Sequence, residues 1–348
     1  MKVRSLIEVI SPQPGSKILV CDVHASESGA LSILNDFYEQ VSAWPDKSVT
    51  WYFVVSTPEF RETSNIKVKR FPWVKKGWLH RLFFECFCLK RIINQIRPQK
   101  SFSLQNKGVS CFKGHQIVYL HLPFILTDHR FSLIRDGKIL WLYQNIVKKL
   151  IFTSLKKVDT TIVQTGWMKS SLMSKAHISE DKIVVLTPNI GNKVYSSYVD
   201  TPAHRKSFFY PATAFTYKNH FTLLKAVAYA VEKGLQDYSV TFTILPDENS
   251  YTQKLYSYAS NKKLSINFIG PISREKVFEH YSQSVLLFPS FVESFGLPLL
   301  EAKMTGCYII ASDTPFAREI LQDYDKVRFF EELDYKKMGD EILALQKL

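Results

Sequence analysis

The sequence from Pro289 to Ile320 reads PSFVESFGLPLLEAKMTGCYIIASDTPFAREI. It follows the apolar run Val285–Phe288, which predicts a buried parallel strand. The pattern becomes helical from Leu297, and Pro298 suits the first turn of a helix, where the missing N–H of proline costs nothing. A further apolar run, Cys307–Ser312, predicts the next strand. The stretch is therefore predicted to form a strand–helix–strand unit of an α/β protein.

The turn that opens this helix is a candidate anion site. The first amides of a helix lack carbonyl partners and lie at the positive end of the helix dipole. A glycine in the turn lets the backbone approach a ligand closely. Two carboxylates, Glu293 and Glu301, lie on either side of the turn. The turn residues whose amides would bind the anion are Ser294, Phe295, Gly296 and Leu297.

This segment resembles the C-terminal signature of retaining glycosyltransferases with the GT-B architecture, family four of the glycosyl transferases group 1. That signature is a Glu-x7-Glu pair around a (S/T)-(F/W/E)-G-x-P core, and residues 293–301 match it without a gap. The resemblance implies that Glu293 contacts hydroxyls of the donor sugar, that Glu301 binds the nucleotide ribose, and that the turn amides bind the diphosphate. The alternative is an ordinary strand–helix–strand unit of another α/β protein.

The composition indicates a soluble enzyme with two domains. A chain of 348 residues with 46% hydrophobic content is long enough to bury two cores. No apolar run approaches the roughly 18 to 20 residues that span a bilayer, and the N-terminal stretch lacks the apolar core of a secretory signal. Five cysteines without metal-ligand spacing favour a reducing cytoplasm and a packing role for each thiol. No metal site is expected, because the one Asp-x-Asp, residues 323–325, lies in a predicted loop.

The positive charge is concentrated in the N-terminal part of the chain. Residues 1–200 hold 28 Lys and Arg against 15 Asp and Glu, whereas residues 201–348 hold 17 of each. The segment from Lys67 to Lys100 contains ten basic residues and one acid, Glu85, interleaved with aromatic residues. An anionic lipid surface attracts such a segment, so we expect peripheral contact with the inner face of the cytoplasmic membrane. A solvated basic face over core aromatics is the alternative.

Two further questions are whether the basic segment binds nucleic acid and whether a second basic helix forms a contact surface. Nucleic acid could bind a basic segment, but no nucleic-acid-binding motif accompanies it, so no nucleic acid partner is expected. Residues 138–157, KILWLYQNIVKKLIFTSLKK, predict an amphipathic helix with paired lysines. That helix is either a second contact surface or a core helix with a charged edge.

Alternating strand and helix patterns in both halves predict two doubly wound Rossmann-like domains facing each other across a cleft. The predicted N-terminal acceptor-binding domain covers residues 1–190, and a linker covers 191–206, where polar sequence lacks periodicity. The predicted C-terminal nucleotide-sugar domain covers 207–333. Residues 334–348 predict a final helix, which the resemblance suggests crosses back to the N-terminal domain. The strands predicted before the signature unit lie at 17–23, 51–56, 116–120, 160–165, 182–186, 207–211, 240–245 and 266–270.

The loop after the first strand of the C-terminal domain carries more of the resemblance. It reads YPATAFTYKNH from Tyr210 to His220. Family members commonly place an arginine and a lysine here that hold the donor diphosphate. Lys218 matches the lysine, but Ala212 or Thr213 stands where the arginine is expected. Lys218 and the turn amides are thus left to offset the charge of the leaving diphosphate, unless Lys218 is simply an exposed loop lysine.

The remaining candidates lie in the N-terminal domain. Residues 103–106 and 119–124 are similar to a subset of family-four enzymes that assemble bacterial surface polysaccharides such as O-antigen or capsule. His121 ends a predicted strand, where open α/β sheets bind ligands, and in family members this histidine lies close to the transferred sugar. A structural histidine is the alternative. The turn containing His24, Ser28 and Gly29 corresponds to the glycine-rich loop of the family and is a candidate cleft lining.

Together these features predict a retaining glycosyltransferase. The donor would be a nucleotide-diphosphate sugar and the acceptor a lipid-linked oligosaccharide. The predicted catalytic residues are Glu293, His121 and Lys218, without a protein nucleophile, metal or cofactor. A sugar-nucleotide epimerase or hydrolase, and a non-catalytic homologue that binds sugar nucleotide or lipid, are the alternatives.

Overall fold

The computed structural model describes residues 5–25, 28–188 and 196–348. Contacts divide the chain into two units. The first unit holds the described residues up to Leu126 together with residues 142–188. The second unit holds Thr127–Trp141 together with residues 196–348.

Seven parallel strands form the sheet of the first unit, in the order β3-β2-β1-β4-β5-β6-β7. They are β1 Lys17–Asp22, β2 Thr50–Val55, β3 Ile66–Arg70, β4 Lys100–Ser103, β5 His115–Tyr119, β6 Thr160–Val163 and β7 Ile183–Val185. The α-helices up to β7 are α1 Leu6–Ile10, α2 Ser28–Ala43, α3 Trp78–Phe83, α4 Leu89–Ile96, α5 Lys138–Leu142, α6 Lys148–Leu155 and α7 Gly166–Ala176. One π-helical turn, Phe84–Cys88, joins α3 to α4, and another, Tyr143–Val147, joins α5 to α6.

Six parallel strands form the second sheet, in the order β10-β9-β8-β11-β12-β13. They are β8 Ser207–Tyr210, β9 Ser239–Phe242, β10 Ile266–Phe268, β11 Val285–Phe288, β12 Ile309–Ser312 and β13 Val327–Phe330. The α-helices of this part are α8 His220–Glu232, α9 Ser250–Asn261, α10 Arg274–Gln283, α11 Leu297–Thr305, α12 Pro315–Ile320 and α13 Tyr335–Leu345.

Burial on both faces explains the apolar runs of the central strands. Every residue of β11 and β12 is buried, as expected for parallel strands covered by helices on both sides. In the first unit, Ile18 and Val20 point into one core and Leu19 and Cys21 into another, because successive side chains of a strand face opposite sides. The prediction of two doubly wound domains is confirmed.

The two observed units differ from the predicted domain boundaries at two places. Residues 127–141 were placed in the N-terminal domain, but the ring of His129 stacks on Phe291 at 4.1 Å and its Nδ1 lies 2.9 Å from a carboxylate oxygen of Glu332, so they belong to the second unit. The described linker residues, 196–206, also pack there, where the amide of Tyr198 donates to the Thr305 carbonyl at 2.8 Å. The final helix α13 packs against α8 of its own unit, and its crossing back to the N-terminal domain stays a prediction.

No helix in the described ranges combines the length and apolar character that crossing a bilayer requires. The five cysteines, all of which lie in described ranges, are free thiols, and Cys21 and Cys307 are buried. The predicted helix 138–157 forms as α5, a π turn and α6 in succession.

Candidate active site

Two loops meet at the carboxyl edge of the second sheet. Residues 211–219 follow β8, residues 289–296 follow β11, and these two strands are neighbours at the point where the strand order reverses. Open parallel sheets bind ligands at such a switch point. The side-chain amide of Asn219 donates to the carbonyl of Pro289 at 3.1 Å, and the backbone amide of Phe291 donates to the carbonyl of Tyr217 at 3.4 Å. The loops are therefore fixed to each other.

Lys218 and Glu293 form an ion pair at this edge. Lys218 Nζ lies 2.5 Å from Glu293 Oε1, and the two side chains are only 15% and 14% exposed. The hydroxyl of Tyr210, at the end of β8, donates to the Lys218 carbonyl at 2.7 Å. The hydroxyl of Ser290 donates to Glu293 Oε1, also at 2.7 Å. A cation and a carboxylate are thus held next to each other by short-range contacts, where they neutralise each other in this structure.

The turn before α11 presents backbone amides. Gly296 has φ +93°, in the left-handed region that favours glycine, and caps a helix of nine residues. The side chain of Phe295 is buried and anchors the turn. Within the described residues, the amides of Phe295, Gly296 and Leu297 donate no hydrogen bond to the protein. They are available for an anion at the N-terminus of α11, beside Ser294.

Glu301 lies in the second turn of α11 and faces α10. One of its oxygens is 3.2 Å from the guanidinium of Arg274, and the other accepts a long bond of 3.5 Å from the Tyr281 hydroxyl. Its side chain is 11% exposed, and this burial raises the pKa of the carboxyl, an effect that the Arg274 charge counteracts. Arg274 was not singled out from the sequence, since 27 residues separate it from Glu301 and no motif links them.

The loop 211–219 lacks the arginine that the resemblance implies. Ala212 is buried and Thr213 is exposed, so neither position supplies a cation. A different arginine lies nearby, because the Thr216 hydroxyl donates to the Asp136 carbonyl at 3.4 Å and Arg135 pairs with the Asp136 carboxylate at 2.9 Å. No sequence signal pointed to this contact, because residues 127–137 show no periodicity and come from between β5 and β6.

The first unit has its own polar cluster at the carboxyl ends of β1, β4 and β5. The amide of His121 donates to Asn106 Oδ1 at 2.8 Å, and Asn106 Nδ2 lies 3.4 Å from His121 Nε2. Burial lowers the pKa of His121 to about 4, so its imidazole is neutral at pH 7. Its Nδ1 has no hydrogen-bond partner within the described residues. Asn106 thus orients the histidine, a role the sequence did not reveal.

His24 follows β1 at the same edge of the first sheet. The carboxylate of Asp22, at the end of β1, accepts the His24 amide at 3.2 Å, and Lys75 Nζ donates to the His24 carbonyl. Burial, together with the charges of Lys107, Arg81 and Lys75, lowers the pKa of His24 to about 3. Its Nε2 is 3.9 Å from Glu85, but the neutral ring makes no ion pair there. Ser28 and Gly29 begin α2, whereas Ser26 and Glu27 of the predicted turn lie outside the described residues.

Among the described residues of both units, no group of three or more His, Cys, Asp or Glu side chains is placed so that it could hold a metal ion.

Comparison with known proteins identifies the second unit. Residues 199–347 match the family described as glycosyl transferases group 1. The C-terminal part of this chain is a group 1 glycosyl transferase domain. The GT-B group 1 resemblance drawn from the glutamate motif is confirmed.

A curated relative and several solved structures are also similar. The relative is the O-antigen chain mannosyltransferase RfbU of Salmonella typhimurium, 24% identical over 220 residues, which span 62% of this chain and 59% of RfbU. Sucrose-phosphate synthase from Thermosynechococcus elongatus has a TM-score of 0.73 at 14% identity, with 95% of this chain and 90% of that one covered. The lipopolysaccharide outer core galactosyltransferase WaaB has a TM-score of 0.64 at 14% identity, covering 95% and 89%. HepE of Anabaena, in complex with UDP and glucose, has a TM-score of 0.65 at 13% identity, covering 94% and 89%. These structural likenesses show that the fold is GT-B.

Proposed function

We propose that this chain is a metal-independent, retaining hexosyltransferase of family four. It would move a sugar from a nucleotide-diphosphate donor to a hydroxyl of a lipid-linked oligosaccharide during synthesis of a bacterial surface polysaccharide. The observation that carries the donor part is the arrangement at the switch point of the second sheet, where Lys218, Glu293 and the amides before α11 converge. The O-antigen part is supported by the similarity to RfbU.

Each donor-side group has a chemical task in this proposal. The amides of Phe295 to Leu297 and the ammonium of Lys218 offset the charge that develops on the departing diphosphate, which is the main electrostatic demand of the reaction. Glu293 accepts hydrogen bonds from hydroxyls of the donor sugar. Glu301 accepts hydrogen bonds from the ribose, and the neighbouring Arg274 guanidinium favours the ionised form of this buried carboxylate.

The reaction is a displacement on one face of the sugar. The bond from the anomeric carbon to the diphosphate oxygen breaks, the acceptor oxygen forms its bond to the same face of that carbon, and the hydroxyl proton passes to the departing phosphate. No protein nucleophile takes part. His121, neutral at pH 7, would contribute a hydrogen bond near the sugar rather than a charge. His24 and the start of α2, with Ser28 and Gly29, would line the acceptor side.

The proposed location is the inner face of the cytoplasmic membrane, where the basic segment Lys67–Lys100 would contact anionic lipid. The structure refines which cations are available for this contact. Arg70 pairs with Glu59 at 2.8 Å, Lys75 donates to the His24 carbonyl, and Lys100 donates to the Ile10 and Ser11 carbonyls at 2.8 and 2.7 Å. The membrane contact would therefore depend on other members of the segment.

Incubation with a panel of UDP-, GDP-, ADP- and dTDP-sugars, with and without a polyprenyl-diphosphate-linked oligosaccharide, tests this proposal. We expect product only with acceptor present, the same anomeric configuration in donor and product by NMR, and no effect of EDTA. Donor consumption without acceptor would indicate the hydrolase or epimerase alternative. Donor binding without turnover on any acceptor would indicate the non-catalytic alternative, which the missing arginine favours.

A further inference from the structure

The helix that runs from Trp78 through the π turn into α4 exposes a stripe of large apolar side chains. Trp78 is 73% exposed, Leu79 61%, Leu82 51%, Phe83 53% and Phe87 65%. Scattered exposed leucines are normal on protein surfaces, but a contiguous group of this size marks an interaction site. The aromatic rings of Phe83 and Phe87 lie 5.2 Å apart, so these two members of the stripe are direct neighbours.

The stripe is a separate face of the helix and not a loose part of the core. Leu79, Leu82, Phe83 and Phe87 recur at intervals of three and four residues, which places them on one side of a helix. The core-facing residues are others: Phe84, Leu89 and Ile92 are buried in the cluster that covers one side of the first sheet. The same helix is therefore apolar toward the core and apolar again toward solvent.

The charges around this exposed apolar face indicate which kind of partner it can bind. Glu85, the one acid between Lys67 and Lys100, is turned away into the protein, where Lys107 Nζ contacts its two oxygens at 2.7 and 2.6 Å. The cations that flank the stripe, Lys76 on one side and Lys90 and Arg91 on the other, are exposed and form no hydrogen bond or ion pair within the described part of the chain. The surface thus has an apolar centre, a tryptophan, cationic ends and no exposed acid.

We propose that the exposed face of residues 78–87 inserts into the interfacial layer of an anionic bilayer, with Lys76, Lys90 and Arg91 at the lipid headgroups. An amphipathic helix of this kind lies in the plane of the interface, and its binding combines buried apolar area with attraction to acidic lipid. This deepens the proposed function, on which it rests for the membrane location of the acceptor. It replaces docking by charge alone with insertion held by apolar side chains.

Salt distinguishes insertion from surface attraction. The Debye length falls from about 10 Å at 0.1 M to about 3 Å at 1 M, so high salt removes the headgroup attraction and leaves apolar burial in place. Wild-type protein should therefore bind vesicles of phosphatidylglycerol and phosphatidylcholine tightly at low salt and keep a measurable fraction of that binding at high salt.

Three variants make the test specific. Leu79→Ser/Leu82→Ser/Phe87→Ser should weaken vesicle partitioning by roughly 10²-fold at both salt concentrations, since each side chain loses its apolar burial. The second variant, Lys76→Gln/Lys90→Gln/Arg91→Gln, should weaken it by roughly 10²-fold at low salt only, at about tenfold or less per charge. The matched control Val199→Ser/Tyr256→Ser, which removes two side chains of the second unit that are 58% and 50% exposed, should partition as wild type does.

The outcomes of this test distinguish failure of the membrane-insertion proposal from failure of the proposed enzymatic function. Thermal stabilisation by nucleoside diphosphates, measured on the same samples, reports the donor site, so its absence in wild type would count against the proposed function and not against insertion. Wild-type-like partitioning of the apolar variant would overturn insertion. So would concentration-dependent dimerisation of wild type, without vesicles, that the apolar variant abolishes, because the stripe would then cover a second copy of this chain.

Discussion

The first prediction concerns how much the ion pair of Lys218 and Glu293 stabilises the second unit. Lys218→Ala leaves a carboxylate that is 14% exposed and that keeps the Ser290 hydroxyl as its one hydrogen-bond partner among the described residues. Glu293→Gln leaves an ammonium that is 15% exposed. Removing one member of a buried pair costs up to 3 to 5 kcal/mol, and partial exposure here reduces that to about 2 kcal/mol. The double variant removes both charges, so its loss should be smaller than the sum of the single losses by about 2 kcal/mol.

The assay must measure the stability of the second unit, because the ion pair lies there. Tryptophan fluorescence is unsuitable, because Trp141 is the one tryptophan that the second unit holds. Hydrogen exchange of the β11 and β12 amides, followed by mass spectrometry, gives the free energy of opening of the strands beside the ion pair. It is measured in wild type, the two single variants and the double variant. The matched control is the exposed pair Lys276 and Glu279, at 2.7 Å, for which a much smaller coupling is expected because solvent screens the two charges.

The same variants test the chemistry. Lys218→Ala should lower kcat by roughly 10²-fold, the usual cost of one preorganised group at a developing charge. A coupling energy equal to that of the exposed control would refute the buried pair. Unchanged kcat in a folded Lys218→Ala variant would mean that another cation, for which Arg135 is a candidate, offsets the leaving charge.

Three further predictions follow from the second unit. Arg274→Gln should make nucleoside diphosphate affinity fall as pH drops from 8.5 to 5.5, because the pKa of Glu301, already raised by burial, rises further without the cation; Arg274→Lys should restore a flatter profile, and equal profiles in all three proteins would contradict this role. Gly296→Ala and Gly306→Ala should each cost about 1 to 2 kcal/mol of stability, since both glycines have positive φ, yet only the first should weaken nucleoside diphosphate binding in calorimetry. His220 is fully buried, neither of its ring nitrogens has a hydrogen-bond partner among the described residues, and burial lowers its pKa to about 3. Its share of stability is therefore present above its unfolded pKa and is lost on acidification, by about 2 kcal/mol between pH 7 and 5. His220→Leu should remove that slope in hydrogen exchange of α8 amides, whatever its packing cost, and an unchanged slope would show that another group titrates.

Much of the donor-side geometry could be predicted because its signal is local. The helix predicted from Leu297 begins at that residue, and the strand predicted at Val285–Phe288 has those bounds. The glutamates, the turn and Lys218 all lie within short motifs tied to single strand ends. The period and turn chemistry of a few residues were enough to place them.

The parts that escaped prediction depend on contacts between distant residues. Strands β3, β4 and β13 are short and carry lysines, arginines or serines, so their composition did not indicate strands. The pairing of Arg274 with Glu301 joins two helices, and Asn106 meets His121 across neighbouring strand ends. Residues 127–141 join the second unit through His129 and Asp136, and the sequence around these two residues gave no pattern that indicated this.

The composition of a segment also does not show which of its aromatic side chains are buried and which are exposed. The aromatics of Lys67–Lys100 were interpreted as core or as surface, and the structure divides them: Phe84 is buried, whereas Trp78, Phe83 and Phe87 are exposed. Helical spacing alone could not decide which of two apolar faces packs inward. The buried face also places Glu85 in contact with Lys107, a pairing between residues 22 positions apart that the sequence did not indicate.

The central claim, that the second unit is a nucleotide-diphosphate sugar site, is tested most directly by isothermal titration calorimetry of UDP, GDP, ADP and dTDP into wild type, Glu301→Ala and Glu293→Ala. One nucleotide should bind wild type, and a ligand at 100 times its Kd should stabilise the fold by about 2.7 kcal/mol. Glu301→Ala should lose that affinity, whereas Glu293→Ala should keep it and lose turnover, because Glu293 contacts the sugar. Binding of none of the four nucleotides to wild type, or equal loss of affinity in both folded variants, would contradict this account.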